Sequence, residues 1–273
     1  MSVVRSWSTG RALSLIVLLF AAILSLFPFY WMIVGTSLNP NDVLKGVLLP
    51  GKELVSNFAK AMKYYNLPLY FWNSIKIALL TVAFGLAVNG LAAYGFEKYP
   101  SKARDKVFGV LLLTLIIPQI ALVIPMFRMF AFLKLLDKHA AIILPSIMSV
   151  FIIFFMRQNF KMFPTEIIEA ARVDGAGEMG IFVRIVTPSM KATYASAAIY
   201  LFLAQWNAYL WPLIALLSDA KKTLPLAMAS MMSAYTIEYG SLMVLACISV
   251  LPVLVLFLSM QKQFVAGLLG SVK

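Results

Sequence analysis

Four amide side chains sit in stretches of sequence that otherwise hold almost nothing but apolar residues: Asn89, Gln119, Gln205 and Asn207. The last two flank Trp206, and Tyr209 follows closely. An amide offers both donors and an acceptor. An aromatic ring adds a flat apolar face, with a polar edge in Tyr and Trp. Together these groups suit a ligand such as a sugar, so Asn89, Gln119, Gln205, Trp206, Asn207 and Tyr209 are candidates for a substrate path. Polar residues in apolar helices also serve as ties between helices. The sequence leaves both uses open for each residue.

Reactive chemistry is otherwise sparse. The chain has one histidine, His139, and one cysteine, Cys247, too few for a usual metal ligand set. No nucleophile stands near a base, so no catalytic residue and no enzyme activity is expected. Gly175–Gly180 reads GAGEMG, the spacing of a dinucleotide fingerprint. That fingerprint follows a strand in a βαβ unit, whereas the preceding TEIIEAARVD is rich in helix formers. The sequence contains no G-x-x-x-x-G-K-[ST] phosphate loop either. If this chain moves a solute uphill, the energy comes from another chain.

The elements that must position these residues follow from composition. Of 273 residues, 62% are hydrophobic and 12% charged, against about 25% charged in soluble chains; mean hydropathy is +0.90. Six windows lack Asp, Glu, Lys and Arg: 12–41, 77–96, 107–127, 140–156, 192–218 and 239–261. A helix of about 20 residues crosses the hydrocarbon core, and backbone groups there must be satisfied within the segment. Runs such as LSLIVLLFAAILSLF do not alternate as barrel strands do. The expectation is an all-α membrane protein with six transmembrane helices in a single domain over 1–273. The first window exceeds a signal-peptide core and lacks an A-x-A site, so it reads as a retained helix. Ion-driven carriers place charged groups within the bilayer, and these windows have none, which disfavours a channel or ion-coupled carrier.

The net charge of +12 marks membrane surfaces and lipid headgroups rather than a nucleic-acid partner. Lys98, Lys102, Arg104 and Lys106 crowd one turn, and Arg157, Lys161, Arg172, Arg184 and Lys191 fill another connection. The positive-inside rule then puts those loops, and both termini, in the cytoplasm; Arg5 and Arg11 precede the first window. The second window carries Ala78, Ala83, Gly85, Ala87, Gly90, Ala92, Ala93 and Gly95, small residues that let helices approach closely. Pro118, Pro125, Pro212 and Pro252 would kink or end helices. TLPLAMASMMSAYTI, at 223–237, is too short to span and reads as an outer-face or re-entrant segment.

The connection 157–191 is long for a turn and holds PTEIIEAARVDGAGEMGIFVRIVTPSMKAT. Pro164 and Thr165 start a helix well, and Gly175 stops it. On its wheel Ile167, Ile168 and Ala171 share one arc while Glu169 and Arg172 point away. Small surface residues at Ala170, Ala171 and Gly175 would admit another protein; a helix resting on headgroups is the competing reading.

Glu169-Ala170-Ala171, then Gly175, Ile185 and Pro188, resembles the cytoplasmic E-A-A-x₃-G-x₉-I-x-L-P loop of ATP-binding-cassette (ABC) importer permeases, with Thr187 where leucine is usual. The likeness extends along the chain, to the smaller permease subunit of maltose-type carbohydrate importers. Asn73-Ser74, Ala92-Ala93-Tyr94-Gly95-Phe96, Ile143–Pro145, Trp206-Asn207, Trp211-Pro212-Leu213, Leu251-Pro252 and the tail QKQFVAGLLGSVK stand at similar places. Ala208 replaces a common acidic residue. The resemblance implies a type I permease core over about 71–262 with a coupling loop over about 157–191. It implies alternating access driven by two cytoplasmic ATPase subunits that hold the ATP and Mg, so no cofactor lies in this chain. It implies a second homologous permease subunit, an extracytoplasmic solute-binding protein and an inner-membrane location. The solute it implies is a carbohydrate, with a glycerophosphate as the alternative.

Overall fold

The computed structural model describes residues 9–269 apart from 64, 100, 234 and 236. Arg5, the closing 270–273 of the tail, and Ala234 and Thr236 of the 223–237 segment lie outside the described residues. Every regular element among the described residues is helical. They form two compact units: one runs up to Leu67 and adds Met228–Val250, the other comprises Pro68–Ala227 and the residues from Leu251 on.

The first unit contains α1 (Thr9–Gly35), α2 (Pro40–Leu44), α3 (Leu54–Lys63) and the start of α15 (Tyr239–Leu269). Its core is small: Val34, Leu38 and Val43 are buried, with Trp31, Val47, Tyr239 and Met243 against them. Buried Asn57 donates from Nδ2 to the carbonyls of Thr36 (2.9 Å) and Leu38 (2.8 Å), acceptors left over where α1 ends. A Cβ on Gly240 would fall 2.2 Å from that amide nitrogen, so only glycine fits there. Lys60 bridges Glu238 at 2.9 Å.

The second unit is built around α4 (Leu67–Lys98), followed by α5 (Lys102–Leu113), α6 (Val123–Phe132), α7 (His139–Ile147), α8 (Val150–Phe160), α9 (Thr165–Val173), α10 (Glu178–Ile181), α11 (Thr187–Ser189), α12 (Lys191–Trp206) and α13 (Leu210–Ala215). The small residues of α4 are used unevenly. A Cβ on Gly85 would lie 3.0 Å from Leu201 Cδ1, and one on Gly90 would lie 2.5 Å from the Tyr194 hydroxyl. Ala78 and Ala93 are buried, while Ala83 and Ala87 are exposed.

Among the described residues four helical stretches are long and apolar enough to cross a membrane, Leu13–Gly35, Leu67–Lys98, His139–Phe160 and Tyr239–Gln261, and the bent pair Lys102–Ile116 with Gln119–Phe132 makes a fifth if it is one span. Two of the six windows expected to span the membrane are interrupted, both at prolines expected to kink or end helices. In 107–127 the chain bends by 99° between Lys102–Ile116 and Gln119–Phe132. Pro118 forces Ile117 into extended backbone (ψ 119), as the residue before proline must be. Pro125 falls in the first turn of α6, where it is tolerated. In 192–218 α12 stops at Trp206 and α13 restarts at Leu210, with Pro212 in its first turn. The 223–237 segment forms α14 (Leu224–Met232), about 13 Å long at 1.5 Å per residue, too short to span.

Candidate functional site

The coupling segment folds as its sequence suggests. Pro164 precedes α9 in extended backbone (ψ 125), and Thr165–Val173 is helical. Gly175 then adopts φ +81. Its N–H donates to Arg172 O (3.0 Å), and the Ala176 N–H donates to Ala171 O (2.9 Å), the paired bonds of a glycine-terminated helix. Ala176 packs against the core that holds Ala171, completing that cap.

Which face is covered differs from the helical-wheel reading. Ile168 and Ala171 are buried, 1% and 8% exposed, whereas Ile167 is 44% exposed and Val173 87%. Ile168 and Ala171 join a cluster with Phe160, Phe163, Ile181 and Phe182. Ala171 is thus part of this chain's own core rather than of a small-residue outer surface. Glu169 and Ala170 are exposed, Ile185 is half-buried in the π-helical turn Phe182–Val186, and Pro188 is exposed in α11. Thr187, the departure from leucine, donates its hydroxyl to that of Tyr194 at 3.3 Å. Gly177 begins α10 with an ordinary φ of −72, so the GAGEMG glycines join two helices.

Polar ties that the sequence reading missed hold this loop to the ends of the long helices. Arg172 Nε donates to Glu178 Oε1 at 2.6 Å and lies over the Tyr99 ring at 5.7 Å. The Arg172 hydrogen bond holds the Glu178 carboxyl below its ordinary value. Arg157 donates from Nε to Glu97 (3.1 Å) and from an NH2 group to Asp105 (3.0 Å), and sits 4.2 Å over the Phe108 ring. Lys98 Nζ donates to Phe163 O at 2.8 Å. The only signal for these ties was the acidic pair Glu97 and Asp105 bracketing a basic turn.

The amide candidates divide. Gln119, Gln205, Asn207 and Tyr209 line one cavity of about 600 Å³, with Thr81, Tyr200 and Trp211 among its other walls. Asn89 and Trp206 do not. Asn89 is fully buried and spends its whole amide on packing: Nδ2 donates to Gly85 O (2.6 Å) and Ile147 O (2.8 Å), and Oδ1 accepts from Ser149 N (2.8 Å). It closes the break between α7 and α8, the helix-tie use of a polar residue. Trp206 is 4% exposed, stacked on Phe202 at 5.5 Å and edge-on to Phe71 at 5.9 Å.

Three helix interruptions converge on the cavity: Gln119 at the bend after Pro118, Met148 and Ser149 between α7 and α8, and Asn207–Tyr209 between α12 and α13. Irregular backbone within a membrane is tolerated where it lines a polar cavity. Asn207 caps α12 through Nδ2 to Leu203 O at 2.9 Å. Trp211 is fixed by Nε1 donating to Ala141 O at 2.8 Å. The walls contain no Asp, Glu, Lys, Arg or His. Among the described residues no group of His, Cys, Asp and Glu could hold a metal ion.

Comparison with known proteins shows the family. The chain is 48% identical over 257 residues to the lactose transport system permease protein LacG of Rhizobium radiobacter, covering 94% of each chain. It is 33% identical over 258 residues to the arabinooligosaccharides transport system permease protein AraQ of Bacillus subtilis (92% of each). It is also 31% identical over 281 residues to the sn-glycerol-3-phosphate transport system permease protein UgpE of Escherichia coli (98% and 99%). Its fold matches a chain of a bacterial ABC transporter that imports the acidic polysaccharide alginate, with a TM-score of 0.84, 20% identity, and 95% and 99% of the two chains covered. Residues 85–269 match the family model described as binding-protein-dependent transport system inner membrane component. The chain is therefore a transporter subunit and not an enzyme, and it belongs to the binding-protein-dependent transport system inner membrane components, which work with ATPase and solute-binding subunits.

Proposed function

We propose that this chain is one permease half of an ATP-driven importer for a neutral carbohydrate. The observation that carries the reading is the cavity: amides and aromatic rings line it, and no charged side chain does. A sugar hydroxyl is satisfied by amides and its ring faces by aromatics. A phosphate ester would need a cation, since removing an unpaired charge from water costs several kcal/mol. That favours the sugars named for LacG and AraQ over the glycerol phosphate named for UgpE.

The rest of the machine follows from this reading. A second, homologous permease completes the path as a heterodimer, two ATPase subunits bind ATP and Mg, and an extracytoplasmic binding protein delivers the sugar. Glu169, Ala170, Ala171, Gly175, Ile185 and Pro188 form the coupling segment, with exposed Ile167, Ala170 and Val173 presented to the ATPase. Both termini and this loop face the cytoplasm, supported by the basic residues crowded there. The assembled importer in proteoliposomes should take up lactose or an arabino-oligosaccharide, and glycerol 3-phosphate should neither be carried nor compete. Uptake of glycerol 3-phosphate with no sugar uptake would refute the assignment.

A further inference from the structure

The cavity is lined by two polar side chains that make no hydrogen bond among the described residues, Thr81 and Gln205, and the Thr81 hydroxyl is also fully buried. Thr81 is 1% exposed and its Oγ1 has no hydrogen bond among the described residues. A helical threonine ordinarily bonds a carbonyl one turn back, and this one does not. Gln205 is 8% exposed, and none of the side-chain hydrogen bonds among the described residues involves it. Buried polar groups in native folds are nearly always paired, so the Thr81 hydroxyl calls for a cause. Both residues line the same cavity.

The packing of α4 against α12 also sets them opposite one another. Gly85 meets Leu201 and Gly90 meets Tyr194, so residue numbers fall along α4 as they rise along α12, the register of an antiparallel pair. One turn from the Gly85–Leu201 contact, four residues back on α4 and four on along α12, stand Thr81 and Gln205. Equal steps at 1.5 Å per residue bring the hydroxyl and the amide to one level. Tyr200 and Tyr209, 45% and 44% exposed, also line this cavity.

We infer that Thr81 and Gln205 form a hydroxyl-reading pair for the sugar in transit, so that this subunit itself discriminates among substrates. The threonine hydroxyl can donate or accept, and the amide does both. A sugar hydroxyl placed between them satisfies all three groups at once. The tyrosine rings supply flat surface for the sugar ring. The pair rests on the neutral-carbohydrate reading and adds to it a named selective contact in this chain.

The test uses the complete importer in proteoliposomes, with lactose and a series of monodeoxy lactoses each supplied already bound to saturating solute-binding protein. This removes the binding protein's own preference from the rates. The wild type should carry one particular deoxy analogue about 3- to 10-fold more slowly than lactose, the effect of one hydrogen bond. Thr81→Val, which keeps the shape and removes the hydroxyl, should erase that difference, and Gln205→Leu should erase the same one. Thr81→Ser should restore it. Thr81→Val should also assemble as well as the wild type, because it replaces an unpaired buried hydroxyl with a methyl group. Wild-type analogue ratios in both Thr81→Val and Gln205→Leu would overturn the pair while leaving the carbohydrate reading intact. A wild type that carries no neutral sugar would overturn both.

Discussion

Gly175 gives the sharpest test of the coupling segment, because its cost on substitution comes from one source. Its φ is +81, and a Cβ there would meet nothing within 4 Å. Replacement therefore adds no clash and leaves only the left-handed backbone. That conformation costs an ordinary L-residue about 1–2 kcal/mol, with asparagine the most tolerant, and a β-branched residue up to about 3 kcal/mol. The turn relaxes by giving up its two closing bonds, Gly175 N to Arg172 O and Ala176 N to Ala171 O, and so re-aims α9. If the docked loop must keep the native turn, Gly175→Ala weakens the hold on the ATPase by about 5- to 30-fold, and Gly175→Val by roughly 150-fold. Gly175→Asn should fall nearest the wild type. Gly177 supplies the control: its φ is −72 and its surroundings are equally open, so Gly177→Ala should be neutral. Titration of ATPase subunits onto the purified membrane complex measures the hold, and binding-protein-stimulated hydrolysis with sugar uptake measures the coupling. Wild-type docking by Gly175→Val, or equal damage from Gly177→Ala, would refute the backbone argument.

Three further outcomes are expected. Asn89→Ala strands the part-buried Ile147 carbonyl and Ser149 N–H, at about 1 kcal/mol for each unpaired group; detergent melting should fall while substrate preference stays put, and a changed preference would restore Asn89 to the path. The carboxyl of Glu178 is held low by Arg172, so its tie to α9 is complete above the ordinary carboxylate range and is lost as pH falls through the depressed value. A spin label at position 174 should accordingly gain mobility as pH falls below the ordinary carboxylate range in the wild type, while Glu178→Gln should already be mobile at neutral pH and show no such step. In a Cys247→Ser background, cysteines replacing Asp174 and Lys221 should react with an impermeant reagent from opposite sides; same-side labelling would remove the crossing between them.

What could be read in advance was what is local. The start of α9 at Pro164 and its end at Gly175 are encoded within a few residues, and both stand where the spacing put them. The side of α9 that faces inward is not local. The wheel groups Ile167 with Ile168 and Ala171, but burial is decided by Phe160, Phe163 and Phe182 arriving from neighbouring elements. Hydropathy registers apolar content and is blind to continuity, so by itself it marks 107–127 and 192–218 as spans. Pro118 and Pro212 marked the breaks without giving a bend of 99°. For Asn89 the choice between path and tie turned on Ile147 and Ser149, about 60 positions away along the chain. Thr81 had nothing to distinguish it, since what sets it apart is a missing bond.

The three hydrogen bonds of Asn89 bear on how the molecule moves. An interruption such as Met148–Ser149 would ordinarily serve as a hinge, because its backbone groups are free to exchange partners. Here the loose acceptor and the loose donor are both held by a single side chain of α4, which resists swinging and sliding alike. These bonds tie α7 and α8 to each other and to α4. If the chain alternates access as proposed, the compliance this needs falls on the breaks at Pro118 and Asn207, where no side chain holds both a loose donor and a loose acceptor among the described residues.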